Sequence, residues 1–278
     1  MTLSTPVCPL CGMQQGTFLA GLAERWLVPA PGQIWDCSAC GLRRVWPQPF
    51  FDENRERFEN EAYYIKTVGV KREHFSSRVA FIRSLLSTSQ NRLLDVGCGR
   101  GEMLLEARAA GFEVTGIELS KYAAVYGREK YGLNISNTPI EELPRSAFDV
   151  IHSSHVMEHV LNPLEFAAHL KRALTPNGIC VLEVPNEFMN VMARLNDLIG
   201  RPRRRQLPSI HLFFFDPSTL RRVMETAGFE TIQISTYSGR FASNSSSFLR
   251  KADSILRNII RSVADGVQKG ENIIYVGR

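Results

Sequence analysis

Leu93-Leu94-Asp95-Val96-Gly97-Cys98-Gly99-Arg100-Gly101-Glu102 runs from a short apolar stretch into three alternate glycines and then into a helical pattern. Glycines permit positive φ, and having no Cβ they let a ligand approach the backbone closely. A helix starting directly after them offers unpaired N–H groups and the positive end of its dipole. A Gly-x-Gly alone says little. Here an acid, Glu118, follows about twenty positions on at the end of the next strand-like segment, where a carboxylate can accept hydrogen bonds from both hydroxyls of a ribose. The stretch reads as the first βα turn of a nucleoside-binding α/β domain.

Outward from this turn, strands and helices alternate. Arg92–Val96, Glu113–Glu118, Phe148–Ser153, Ile179–Val184, Phe229–Thr236 and Asn272–Val276 read as strands. Glu102–Ala110, Lys121–Tyr131, Pro163–Leu174, Pro217–Ala227 and Phe248–Val267 read as helices, with Pro176-Asn177-Gly178 stopping the third. Such alternation predicts a parallel sheet covered on both faces. Between about 52 and 90, Phe58, Ala62, Tyr63 and Ile65, then Phe75, Val79, Ile82, Leu85 and Leu86, recur at helical spacing. Residues 188–210 interrupt the alternation as an insertion.

Asp95, two residues before the first glycine, discriminates between cofactors. A carboxylate there repels a pyrophosphate but suits the ammonium and sulfonium of S-adenosylmethionine (SAM). Leu94-Asp95-Val96-Gly97-Cys98-Gly99-Arg100-Gly101 with Val114-x-Gly116-Ile117-Glu118-Leu119-Ser120 resembles the first two motifs of class I SAM-dependent methyltransferases. Phe148-Asp149-Val150-Ile151 with Glu158-His159-Val160-x-Asn162-Pro163 resembles their fourth-strand region, and His211-Leu212-Phe213-Phe214 with Ala227-Gly228-Phe229 their C-terminal segment. The resemblance implies a Rossmann-like sheet of seven strands with the last antiparallel. It implies cofactor contacts from Asp95, Gly97, Gly99, Gly101, Glu118 and Leu119, from Ile140 beside the adenine, and from Ser153 and Ser154 beside the methionine portion. Where the family often has an acid near the adenine amine, this chain has Pro139, so backbone contacts from Ile140, or Glu141 one step on, take that place.

Cys8-Pro9-Leu10-Cys11 and Cys37-Ser38-Ala39-Cys40, each followed by glycine, supply four thiolates for one structural zinc. The turn glycines are expected to free N–H groups to point at sulfur. Redox-active pairs are the alternative, but neither pair sits in a thioredoxin-like βαβ context. The module reads either as a lid or docking element for the acceptor or as a grip on nucleic acid. Residues 1–50 hold only Arg25, Arg43 and Arg44 as cations, thin for phosphate binding. The order of the cysteine pairs, Pro47-x-Pro49 and Tyr63-Tyr64 is similar to methyltransferases acting on sugars and other small metabolites.

Methyl transfer is an in-line displacement in which positioning supplies most of the catalysis. A base is needed only if the acceptor must lose a proton. His155, just past the fourth strand, and His211, after the insertion, are the candidates for base or acceptor ligand. His159 reads as structural and His152 as packed. Tyr63 and Tyr64 read as a cover for the cofactor and acceptor, or as core. Arg201, Arg203, Arg204 and Arg205 read as a solvated loop or as a clamp for a phosphorylated acceptor.

A formal charge of +5, a hydrophobic content of 44% and a charged content of 22% are ordinary for a globular chain that buries a core. No apolar run approaches the ~18–20 residues of a membrane helix, and Met1-Thr2-Leu3-Ser4-Thr5-Pro6 has no signal-peptide pattern, so a cytoplasmic protein without a membrane partner is expected. The expected organisation is a tetracysteine module over 1–50, a helical linker over 51–90 and a SAM-binding domain over 91–278 with a lid insertion at about 188–210. The expected activity is methylation of a small-molecule acceptor, such as a nucleotide-linked sugar or natural-product intermediate. RNA methylation and a non-catalytic scaffold are the alternatives. The sequence leaves the oligomeric state open.

Overall fold

The computed structural model describes residues 6–19, 32–48, 72–198, 211–239 and 248–278. The amino-terminal part contributes β1 (Gly16–Phe18), β2 (Gln33–Cys37) and β3 (Arg43–Trp46), followed by α1 (Arg72–Ser84). Next come β4 (Arg92–Val96), α2 (Glu102–Ala109), β5 (Glu113–Ile117), α3 (Lys121–Tyr131), β6 (Ile135–Ser136) and β7 (Phe148–Ser154). The chain continues through α4 (Pro163–Ala173), β8 (Leu174–Pro185), α5 (Val191–Leu198), β9 (Phe213–Phe214) and α6 (Pro217–Thr226). It closes with β10 (Thr231–Tyr237), α7 (Phe248–Gly266) and β11 (Asn272–Gly277).

The main sheet has seven strands in the order β10-β11-β8-β7-β4-β5-β6. Pairs among β4 to β8 are parallel, and β11, the last strand, runs antiparallel to both neighbours, as expected. The chain builds outward from β4 in one direction, then crosses back to β7 and builds in the other. The crevice at the carboxyl ends of β4 and β7 is therefore the topological switch point, where ligands bind in open α/β sheets.

Local signals explain the helices. Ser120 caps α3 by accepting from the Ala123 N–H, and Gly132 closes it at φ +59°. Asn162 caps α4, with Pro163 at its first turn. Asp216 and Thr219 form a reciprocal capping box on α6.

Strand period sorts the buried residues to two faces. Leu94, Val96, Ile151, Leu182 and Val184 face a core that contains Phe166 and Leu170 of α4 and Leu220 and Val223 of α6. Leu93, Val150, Ile179 and Val181 face the other way, against Val79 and Ile82 of α1 and Met103 and Leu104 of α2. Among the described residues, no helix is long and apolar enough to cross a membrane.

Two readings change, and one further segment finds its place. The seventh strand is the two-residue β6, too short to announce itself by period. Strand β8 begins at Leu174, not Ile179: a register irregularity between Phe148 and Val150 of its partner absorbs Pro176-Asn177-Gly178. His211-Leu212-Phe213-Phe214 does not join the main sheet. Its β9 pairs antiparallel with β3, completing a second sheet of order β1-β2-β3-β9. Trp35, Leu42 and the thiols of Cys8, Cys37 and Cys40 pack in the same core as Leu212, Phe213 and Phe215.

Candidate active site and tetracysteine centre

The loop after β4 turns through Gly97, Gly99 and Gly101 at φ +73°, +55° and +87°. A Cβ on Gly97 would lie 2.3 Å from Val156 Cγ2, and one on Gly101 would lie 2.4 Å from Leu133 Cδ1. The left-handed φ calls for glycine at each position, and at Gly97 the β-branched Val156 also leaves little room for a Cβ. Glu118, just past β5, accepts from the Gly99 N–H and the Ser120 N–H, both at 2.8 Å. Burial raises its pKa, and the amides of Ser120 and Gly99 oppose that shift. Leu119 beside it is 53% exposed, and Ile140 opens the 3-10 turn Ile140–Glu142 past β6. Ser153 and Ser154 end β7, and the Ser153 hydroxyl is buried with no partner among the described residues. These residues share the carboxyl edge of β4, β5, β6 and β7, a cradle able to hold a nucleoside.

Asp95 faces elsewhere. Only 4% exposed, its Oδ1 lies 2.7 Å from His152 Nδ1, and His152 Nε2 lies 3.3 Å from Glu183 Oε1. Arg78 of α1 donates to Glu183 Oε2 at 2.8 Å, and the Tyr237 hydroxyl donates to the same oxygen. Burial pulls the His152 pKa down, but the Asp95 and Glu183 carboxylates on either side carry it up to about 9. The packed His152 is therefore an imidazolium joining two strands' carboxylates on the face covered by α1.

Past β7, His155 turns the chain at φ +56°, a left-handed conformation costing about 1–2 kcal/mol for a residue with a Cβ. Its side chain is 47% exposed, with Nδ1 3.2 Å from Oε1 of the fully buried Glu158. Desolvation works against a charge on His155, yet Glu158 raises its pKa. Desolvation raises the Glu158 pKa, but His155, His159 and His211 around it carry it down to about 2. His211 Nδ1 lies 2.9 Å from Glu187 Oε1, just past β8, and its ring meets that of His159 edge-on at 4.7 Å. Burial lowers the His211 pKa, and Glu187 overcomes this to bring it to about 9. His155 and His211 therefore converge on one carboxylate cluster. Ligand atoms of Glu158, His159 and His211 all lie within 4.8 Å of one another. Glu158 and Glu187 are the residues that sequence reasoning missed. Their one signal is position, each just past a parallel strand.

The four cysteine sulfurs lie within 4.8 Å of one another, with Cys8 and Cys40 at 3.5 Å and Cys11 and Cys37 at 3.6 Å. A tetrahedron of thiolates about zinc, at a Zn–S distance of about 2.3 Å, has edges of about 3.8 Å. The residues fit that group. The amides of Leu10 and Cys11 point at the Cys8 sulfur and those of Ala39 and Cys40 at the Cys37 sulfur. The glycine amides do not: Gly12 and Gly41 donate to the carbonyls of Cys8 and Cys37, closing each turn. Arg44, 6% exposed, has no carboxylate partner among the described residues. It donates to the Val7 carbonyl and lies over the Trp46 and Phe213 rings. A buried guanidinium without an acid complements a centre of net negative charge. Tyr63, Tyr64, Arg201, Arg203, Arg204 and Arg205 lie outside the described residues.

Comparison with known proteins agrees with this architecture. The chain is 35% identical over 104 residues to the ubiquinone biosynthesis O-methyltransferase of Rickettsia typhi, covering 35% of this chain and 42% of that protein. It is 32% identical over 152 residues to the tRNA U34 carboxymethyltransferase of Pseudoalteromonas translucida, covering 51% and 45%. The chain thus spans less than half the length of these two relatives. Among solved structures, a SAM dependent methyltransferase from Archaeoglobus fulgidus superposes with a TM-score of 0.50 at 19% identity, over 82% of this chain and 99% of that one. The [4+2]-cyclase SpnF superposes at 0.53 and 18% identity, over 84% and 97%. The methyltransferase domain model matches residues 71–234, more than half of the chain, and the chain belongs to the methyltransferase domain family.

Proposed function

We propose that this chain is a SAM-dependent methyltransferase acting on a small-molecule acceptor, with a structural zinc in its tetracysteine centre. The observation that supports the reading is the glycine cradle with Glu118 past β4 and β5, packed at Gly97 against Val156, the neighbour of His155 in the His155–Glu158–His211–Glu187 cluster. When bound, SAM supplies a methyl group already activated on a sulfonium. Glu118 would accept from the ribose hydroxyls, Leu119 and Ile140 would flank the adenine, and Ser153 and Ser154 would lie toward the methionine end. Asp95 acts on that end from behind, as the charge that His152 holds in place. His155 and His211 orient the acceptor and take its proton, and their carboxylates keep each ring in one orientation. The zinc holds Cys8, Cys11, Cys37 and Cys40 together and takes no part in the transfer, since four thiolates leave no open position.

The arginines at 201, 203, 204 and 205 favour a phosphorylated or nucleotide-linked acceptor. The similarity to a tRNA-modifying relative favours a second reading, in which the same arginines hold RNA. One experiment separates them: replace Arg203, Arg204 and Arg205 with alanine, then measure binding of a nucleoside-diphosphate sugar and of bulk RNA. We expect weaker binding of the nucleotide sugar with SAM affinity unchanged. Micromolar RNA binding at physiological salt, lost in the variant with a log–log salt slope reduced by about one per phosphate contact removed, would replace the first reading with the second.

A further inference from the structure

We propose that the tetracysteine module positions His211: the metal centre fixes β3, and β3 holds in register the segment that carries His211 against Glu187. The inference rests on the proposed zinc and on the proposed acceptor-side role of His211.

A two-residue strand cannot hold its own place. Among the described residues, β9 pairs only with β3, through Arg43 opposite Phe214 and Arg44 opposite Phe213. Leu212, directly after His211, bridges the two halves of the molecule with its backbone. Its C=O accepts from the Val45 N–H of β3 at 2.8 Å, and its N–H donates to the Glu158 C=O at 2.7 Å. One peptide group on each side of a single residue thus joins the tetracysteine sheet to the loop bearing His155, Glu158 and His159.

The module grips this segment at further points. Arg44 spans from the Val7 carbonyl, next to Cys8, to the Phe213 ring. Arg222 of α6 donates to the Cys40 carbonyl at 3.4 Å. Arg43 pairs with Asp216, the cap of α6, at 3.9 Å. Strands of three to five residues bury too little apolar surface to be stable alone, and structural metal supplies folding free energy to such small units. That free energy reaches His211 through β3. The consequence is functional, because displacing a positioning group by about 1 Å costs on the order of 10²-fold in rate.

The test uses the full chain, with its metal content measured before and after chelation and after zinc is returned. Three readouts are followed at constant pH: amide hydrogen exchange of Leu212 to Phe215, the imidazole ¹⁵N resonances of His211, and SAM affinity by calorimetry. We expect chelation to accelerate exchange over Leu212 to Phe215 by at least tenfold and to shift the His211 resonances. SAM affinity should change by less than twofold, and zinc should reverse every change. Arg44→Met, which leaves the thiolates intact, should retain zinc and still accelerate exchange over the same four residues several-fold. Unchanged exchange there, in the chelated chain or in Arg44→Met, overturns the inference. So does SAM affinity falling in step with exchange, which would mean general loosening. Protein purified without metal would remove the zinc reading and the inference together, whereas metal present with an indifferent Leu212 to Phe215 removes the inference alone.

Discussion

Asp95 Oδ1 and His152 Nδ1 lie 2.7 Å apart on neighbouring parallel strands, both side chains about 5% exposed. With Glu183 on the third strand they make a buried row of alternating charge under α1, ending on Arg78 and Tyr237. The glycine loop begins two residues beyond Asp95, so this row fixes the end of β4 from which that loop springs.

His152 in this row and His211 against Glu187 together set a pH dependence of stability. His152 and His211 both have pKa values carried up to about 9, so the native state holds more protons than the unfolded chain between about 6.5 and 9. Their stabilisation is fully present below about 6.5 and is lost as pH rises through about 9. Denaturant titrations should show stability falling across that window. His152→Gln should remove roughly half of the slope, and an unaltered slope would show that the His152 ring is neutral. Removing the cation also leaves two buried carboxylates facing each other, so the variant should be about 3–5 kcal/mol less stable at pH 6.5.

Glu118→Ala should weaken SAM binding by tenfold or more in calorimetry, about 1.4 kcal/mol or greater. Its carboxylate also receives the Gly99 and Ser120 amides, so Glu118→Gln, which keeps the shape, should lose less. Equal affinity in wild type and Glu118→Ala would remove the ribose assignment.

Elemental analysis should find one zinc per chain, absent from the Cys37→Ser/Cys40→Ser double variant. SAM should still bind that variant, because the glycine cradle lies on the main sheet. Zinc retained in full by the double variant would place the metal elsewhere.

Glu187 decides when His211 can accept a proton. With the carboxylate present, Nδ1–H stays donated to Glu187, and the ring gives up its other proton, freeing Nε2, only as pH approaches about 9. Once an acceptor is in hand, kcat/KM should rise with pH on the acid side. Glu187→Gln should move that limb toward 6.5, by a unit or more, since removing a negative charge lowers the imidazole pKa. A limb that stays in place assigns the proton to another group, with His155 the next to test.

Much of this molecule is local and was therefore legible. The Gly97–Gly101 turn, Glu118 at the end of β5 and the capped helices α3, α4 and α6 are each settled by residues within a few positions of one another. The cysteine pairs are legible for the same reason, since each knuckle closes within five residues.

Partners far apart in sequence were not legible. His152 reads as a packed residue until Asp95 and Glu183, 57 and 31 positions away, are seen on either side. Glu158 stands in the sequence only within the segment past the fourth strand, yet it is fully buried and its carboxylate meets His155 and His159. Phe213-Phe214 has no sheet of its own by pattern, because a two-residue strand is too short for period two to say which edge it meets. Sequence alone determined the chemistry available: a glycine-rich turn, an acid at the end of the next strand, four thiolates and a set of histidines. Only the tertiary structure decided which carboxylate each histidine meets and that the tetracysteine sheet takes β9 as its fourth strand, because strand pairing and charge burial act between segments that only folding brings within hydrogen-bond distance.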